Sequence, residues 1–140
     1  MTYQPMDYTA GVIVLLAEGY IPMVYEERKN WKYPCGHKEG QESVEETACR
    51  ELYEETGIIV KPEGLKLVVI ENRRNHLFYL FTTRKYDARG YKFLGNDGEK
   101  NSIFSPSEIL QKKNINHSHR RLTVRLLASL IDQVDLAKSA

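Results

Sequence analysis

The sequence predicts an α/β domain, on three observations: aliphatic and β-branched runs of strand length, one helix with clear capping signals at both ends, and a C-terminal stretch with an apolar stripe at helical spacing. Its 140 residues are 41% hydrophobic and 28% charged, which is enough apolar material for one core and excludes wholesale disorder or a collagen-like repeat. We expect residues 1–140 to form a single domain.

The first strand is expected over Tyr8 to Ala17, whose apolar character on every position suits a strand covered on both faces. Glu18, Gly19 and Tyr20 read as a turn, and Ile21 to Glu27 as the hairpin partner of the first strand. Arg28 to Gln41, with Trp31, Pro34, Gly36 and Gly40, reads as a polar loop. Ser43 and Glu46 have capping-box spacing and Gly57 is a left-handed stop, so a helix is expected over Val44 to Thr56. Leu65 to Glu71 and His76 to Arg84 read as two strands joined by a basic turn, and Ser102 to Phe104 as a short extended piece after the Gly95 to Gly98 loop. Ser105, Pro106 and Glu108 open a small helix. The last helix, about Ser118 to Val134, aligns Leu122, Leu126, Leu127, Leu130, Ile131 and Val134.

A net charge of +1 supplies no general field for holding duplex nucleic acid, so an anion must be met by a local site. The longest apolar run, Ala10 to Ala17, falls well short of the roughly 20 residues of a membrane span. Cys35 and Cys49 suggest neither a disulfide framework nor a zinc knuckle, and a reducing, cytoplasmic setting is expected.

On the capped helix, Glu51, Glu54 and Glu55 stand at i, i+3 and i+4 and repel one another. They are either a solvated helix face or a site for a hard cation, which removes the repulsion. Mg²⁺ takes oxygen ligands and is usually held by one or two carboxylates together with substrate phosphates. Such an ion polarises phosphoryl oxygens and activates water, and a further carboxylate can act as general base.

The surroundings of this cluster decide between the two. Gly36, Glu42, Arg50, Glu51, Leu52, Glu54, Glu55, Gly57 and Ile58 meet every position of the pattern G-x5-E-x7-R-E-U-x-E-E-x-G-U, where U is bulky and aliphatic. With average residue frequencies, a chance match has a probability on the order of 10⁻⁸ to 10⁻⁷. The chain thus resembles the Nudix hydrolase (MutT-like) family, and its flanking strands and C-terminal helix are similar to the family's α/β/α sandwich, a mixed β-sheet flanked by helices. The resemblance implies Mg²⁺- or Mn²⁺-dependent attack of water on phosphorus in a nucleoside triphosphate or other nucleoside diphosphate derivative. A dinucleoside polyphosphate, an RNA 5′ end, and a non-catalytic nucleotide-binding regulator are the alternatives.

By position, the resemblance makes Glu54 the central metal ligand, with Glu51, Glu55 and the carbonyl of Cys35 completing the set. Arg50 is expected to orient the glutamates, against a bland role as an exposed salt bridge. Glu42 either braces the loop or joins the metal network. Gly36 and Gly57 supply tight or left-handed backbone. Many members have Gly-Gly where this chain has Cys35-Gly36, so a positive φ at Cys35 would be strained; a reactive Cys35 thiol is a minor alternative. Glu99 is a general base or an extra ligand, or else an exposed turn residue. Arg28, Arg73 and Arg74 clamp phosphate or ribose, or are merely solvated. Trp31 and Tyr33 stack a nucleobase or pack beneath the loop. His37, His76, His117 and His119 lack transition-metal spacing and are expected at the polar surface or supporting other site residues, while His119-Arg120-Arg121 opposes the last helix's dipole or faces an anion. The sequence leaves the substrate's base and a homodimer open.

Overall fold

The computed structural model describes residues 7–26, 30–84, 91, 95 and 100–139, with side chains of the last helix described through 128. Among the described residues seven strands and three α-helices follow in the order β1 (Tyr8–Leu15), β2 (Ile21–Glu26), β3 (Asn30–Lys32), β4 (Cys35–His37), α1 (Val44–Thr56), β5 (Lys66–Arg73), β6 (His76–Arg84), β7 (Asn101–Phe104), α2 (Pro106–Gln111) and α3 (His117–Ser139). They make a four-stranded sheet, β4-β1-β6-β5, and a three-stranded sheet, β3-β2-β7. The first is mixed: β1 runs parallel to β6 and antiparallel to β4, while β5 and β6 form an antiparallel pair.

The apolar character of β1 on every position explains its place between two partners. Tyr8, Ala10, Val12 and Val14 face a core shared with Ala48 and Leu52 of α1 and with Ile58 and Phe81. Ile13 faces the other core, with Ile21, Met23, Tyr33, Phe78, Leu80, Phe104, Ile109 and Leu122. Helices therefore cover opposite faces of the mixed sheet, as the α/β/α expectation requires.

The expected hairpin between β1 and β2 does not form. Glu18 (φ 64°) and Gly19 (φ 81°) turn the chain out of the first sheet, and β2 pairs with β3 and β7 instead. A strand buried on both faces needs a neighbour on each side, and β4 and β6 fill those places. The loop expected over Arg28 to Gln41 contains β3 and β4, three residues each. Strands so short and polar have no readable period; their pairing rests on the backbone alone.

The helix expected over Val44 to Thr56 has those bounds, and both helix openings marked by Ser and Glu are reciprocal capping boxes. The last helix begins one residue earlier than expected and continues to Ser139; Leu122 and Leu126 are buried, whereas Leu130, Ile131 and Val134 lie outside the described side chains. No helix among the described residues is long and apolar enough to cross a membrane.

Candidate active site

The site is built from one helix and the strand that faces it. Ser43 Oγ accepts from the Glu46 N–H (3.1 Å), and the Ser43 N–H donates to Glu46 Oε1 (2.9 Å), fixing the start of α1. Its end is set by Gly57 at φ 79°, whose N–H donates to the Tyr53 carbonyl (2.8 Å). Between these caps, Ala48 and Leu52 are buried against β1, which rotates Arg50, Glu51 and Glu54 toward the adjoining edge and β4. On β4, Gly36 leaves room for the Glu51 carboxyl, which a Cβ would overlap. Gly36 is therefore required by close approach and not by a left-handed backbone.

Arg50 gathers the acidic groups. Its Nε and Nη2 donate to the two oxygens of Glu42 (2.7 and 3.1 Å), and its Nη1 donates to Glu51 Oε1 (2.9 Å) and Glu54 Oε2 (3.2 Å). Nη2 also donates to the His37 carbonyl (2.9 Å), joining the helix to the end of β4. With its side chain 19% exposed and several acceptors engaged, Arg50 is not the isolated surface salt bridge of the bland alternative. Glu42 braces the loop: it accepts from the Glu39 N–H (3.0 Å) and Thr47 Oγ1 (3.0 Å), while its carbonyl accepts from the Tyr8 hydroxyl (2.5 Å). Hydrogen bonding from Arg50 holds the Glu42 carboxyl below the usual range.

Glu51 is pushed the other way. Burial raises its pKa, only partly offset by Arg50, and its carboxyl also meets that of Glu55. Glu55 is buried, and its backbone carbonyl accepts from Asn101 Nδ2 (2.7 Å), which ties the end of α1 to β7. Glu54, with its side chain 40% exposed, reaches furthest into solvent.

These residues fit a hard divalent cation in the chemistry of their donors. All are carboxyl oxygens, and Arg50 takes one oxygen each of Glu51 and Glu54, leaving the other outside its grip. Among the described residues no three His, Cys, Asp or Glu side chains converge as a complete metal cage. Mg²⁺ does not need one, since it keeps waters and shares phosphate oxygens.

Cys35 lies on β4, opposite Gly11 of β1, and is absent from the positive-φ residues, so the expected strain does not arise. Burial pushes its thiol up to about 12, which removes the reactive-thiolate alternative at neutral pH. Trp31 lies on β3, packed against Tyr25 (5.1 Å between centroids) and edge-on to Phe104 (4.9 Å). Tyr33 is fully buried, its hydroxyl bonded to Thr123, so it does not stack a ligand. Arg73 lies over the Phe78 ring and donates to Glu71 (3.1 Å) and Ser118 (3.2 Å). Arg74 is exposed in the turn between β5 and β6. Arg28 and Glu99 lie outside the described residues.

His119 departs from expectation: it is buried, its Nδ1 accepting from the Tyr33 N–H (2.9 Å). Of its neighbours, Arg120 bonds the Lys112 carbonyl and Arg121 bonds Glu71 (2.6 Å). Lys32 was not singled out as a site residue. Burial lowers the pKa of its ammonium, 3.7 Å from Glu26, but the charges of Glu26, Glu55 and Glu51 outweigh it and raise the value. Recognising β3 would have marked it, because this short strand leads directly into Tyr33, Pro34 and Cys35.

Comparison with known proteins follows the same lines. A stretch of 54 residues is 46% identical to phosphatase NudJ of Escherichia coli K12, covering 36% of this chain and about a third (35%) of that protein. The NUDIX domain of Shewanella oneidensis NrtR, solved with ADP ribose, superposes with a TM-score of 0.75 at 14% identity, over 91% of this chain and 90% of that one. A MutT/nudix family protein from Listeria innocua gives 0.72 at 19% identity, over 96% and 99%. At these identities the superpositions establish the fold alone. The family model described as the NUDIX domain matches residues 6–126, and by that match the chain belongs to the NUDIX family.

Proposed function

We propose that this chain is a divalent-cation-dependent Nudix pyrophosphohydrolase that cleaves a phosphoanhydride bond in a nucleoside triphosphate or a related nucleoside diphosphate derivative. One observation carries the reading: a single guanidinium joins Glu42, Glu51, Glu54 and the His37 carbonyl beside a glycine that makes room for one of those carboxyls. The similarity to phosphatase NudJ and the ADP ribose bound to the NrtR domain support a nucleotide derivative as substrate.

In this reading Glu54 is the main metal ligand, with Glu51, Glu55 and the Cys35 carbonyl as the remaining donors. A Mg²⁺ or Mn²⁺ ion supplies Lewis-acid polarisation of the phosphoryl oxygens when bound. The chain's own residues do the rest. Arg50 holds Glu51 and Glu54 in one orientation through charge-assisted bonds. Glu42 holds Arg50 in turn, and the capped ends of α1 prevent the helix from fraying beneath them. Glu99 takes a proton from the attacking water, while Arg28, Arg73 and Arg74 bind phosphate or ribose and Trp31 stacks on the base.

The test is a panel of nucleoside triphosphates, dinucleoside polyphosphates, nucleotide sugars and triphosphorylated RNA in ¹⁸O-labelled water, with wild type beside Glu54→Gln. Labelled phosphate products that require Mg²⁺ or Mn²⁺, and turnover reduced by orders of magnitude in a Glu54→Gln protein of unchanged thermal midpoint, are expected. Near-normal turnover in that variant removes the role given to Glu54; nucleotide binding without product from any substrate favours the regulator.

A further inference from the structure

The sheet face opposite α1 carries a site that the carboxylate network does not use. Side chains alternate along β6, so Phe78, Leu80, Thr82 and Arg84 share one face, and the first two belong to the core beneath α3. Register brings Leu15 of β1 opposite Arg84 and Lys66 of β5 opposite Thr82, on that same face. Past Leu80 the inner face therefore changes from apolar to hydroxyl and cationic while α3 still runs alongside it. A cavity of about 360 Å³ opens there, with Leu15, Val68 and Leu126 as its apolar part and Lys66, Arg84 and Arg125 as its charged part.

The three cations come from three different elements, and no carboxylate is among the described residues lining the cavity. By contrast Arg73, at the far end of β5 from Lys66, and Arg121 of α3 are both held by Glu71. The cavity is also separate from the acidic site. Gly36, which faces the Glu51 carboxyl, pairs with Ala10, whereas the cavity begins at Leu15, five residues or roughly 16 Å further along β1 and on the other face.

We infer that this cavity is a second ligand site, for a small phosphomonoester with an apolar body. A phosphomonoester carries about −1.5 to −2 charge at neutral pH and several strong acceptor oxygens, which suits a cavity lined by three cations better than a carboxylate ligand would. Its body lies against Leu15, Val68 and Leu126. The volume is within the range of small-molecule pockets, about 300–1,000 Å³.

The test is an NMR titration of the metal-free protein with phenyl phosphate, inorganic phosphate and phenol, in chelator. Without metal the readout is independent of the proposed hydrolysis, so the two proposals fail separately. Phenyl phosphate is expected to bind more tightly than either fragment and to shift amides of residues 66–68 and 82–84, with affinity falling as salt rises. Arg84→Ala and Arg125→Ala, both at exposed positions, are each expected to weaken it about tenfold. Shifts confined to residues 36–57, equal binding of phenyl phosphate and inorganic phosphate, or unchanged affinity in the double variant with an intact thermal midpoint overturns the site.

Discussion

A guanidinium presents five N–H donors in a planar fork, and Arg50 directs that fork at two carboxylates of its own helix and at the loop before it. Lysine offers the same charge from a single nitrogen and cannot hold all of these acceptors at their present distances. Arg50→Lys is therefore expected to keep the fold and to lower turnover about 10–100-fold, the usual cost of losing a partner that orients metal ligands. The fall should lie mainly in kcat, with a higher Mg²⁺ half-saturation, measured by steady-state kinetics over a metal series. A rise in KM alone would assign Arg50 to substrate binding instead. Gly36→Ala tests the same arrangement from the other side: its methyl group occupies the space of the Glu51 carboxyl, so metal-dependent activity should fall although Gly36 itself presents no chemistry.

Helix α1 is the element that holds this chemistry, and its two ends were the most legible part of the sequence. Ser43 and Glu46 satisfy otherwise unpaired N–H groups, so Ser43→Ala is expected to cost about 1 kcal/mol in chemical denaturation and to leave the denaturant slope unchanged. An unchanged midpoint would mean that packing of Ala48 and Leu52 alone sets the start of the helix. Capping is encoded within a few residues, which is why these bounds could be read without the fold. The carboxylate positions were readable for the same reason. Strands β3 and β4 were not, because three-residue strands are defined by partners distant in sequence: β4 needs β1, and β3 needs β2. With them was lost the position of Lys32, and the choice between stacking and packing for Tyr33 stayed open. The β1–β2 hairpin failed for a related reason, since proximity along the chain competes with the need of an all-apolar strand for two neighbours.

Over the whole molecule, α3 is joined to the chain between the two sheets through His119. Its imidazole accepts from the Tyr33 N–H, stacks on the Tyr33 ring at 5.4 Å, and lies one turn before Thr123, to which the Tyr33 hydroxyl is bonded. Burial, with Arg73 and Lys32 adding positive charge nearby, lowers its pKa to about 3 from an unperturbed value near 6.5. A protonated Nδ1 could not accept the Tyr33 N–H, so the folded chain holds this ring neutral. The sign follows from proton counting. Between these two values the unfolded chain binds the proton and the folded chain does not, so acid favours unfolding; above about pH 6.5 neither binds it and the effect disappears. Between pH 7 and pH 5, above the range in which ordinary carboxylates titrate, His119 alone should remove about 2 kcal/mol of stability. Urea denaturation at the two pH values, on wild type and on His119→Gln, which retains an acceptor for Tyr33, isolates that contribution. The variant should lose much less stability on acidification. Equal losses in the two proteins would mean that His119 takes up its proton without unfolding, and that the contact between α3 and the segment after β3 opens to water at mild acidity.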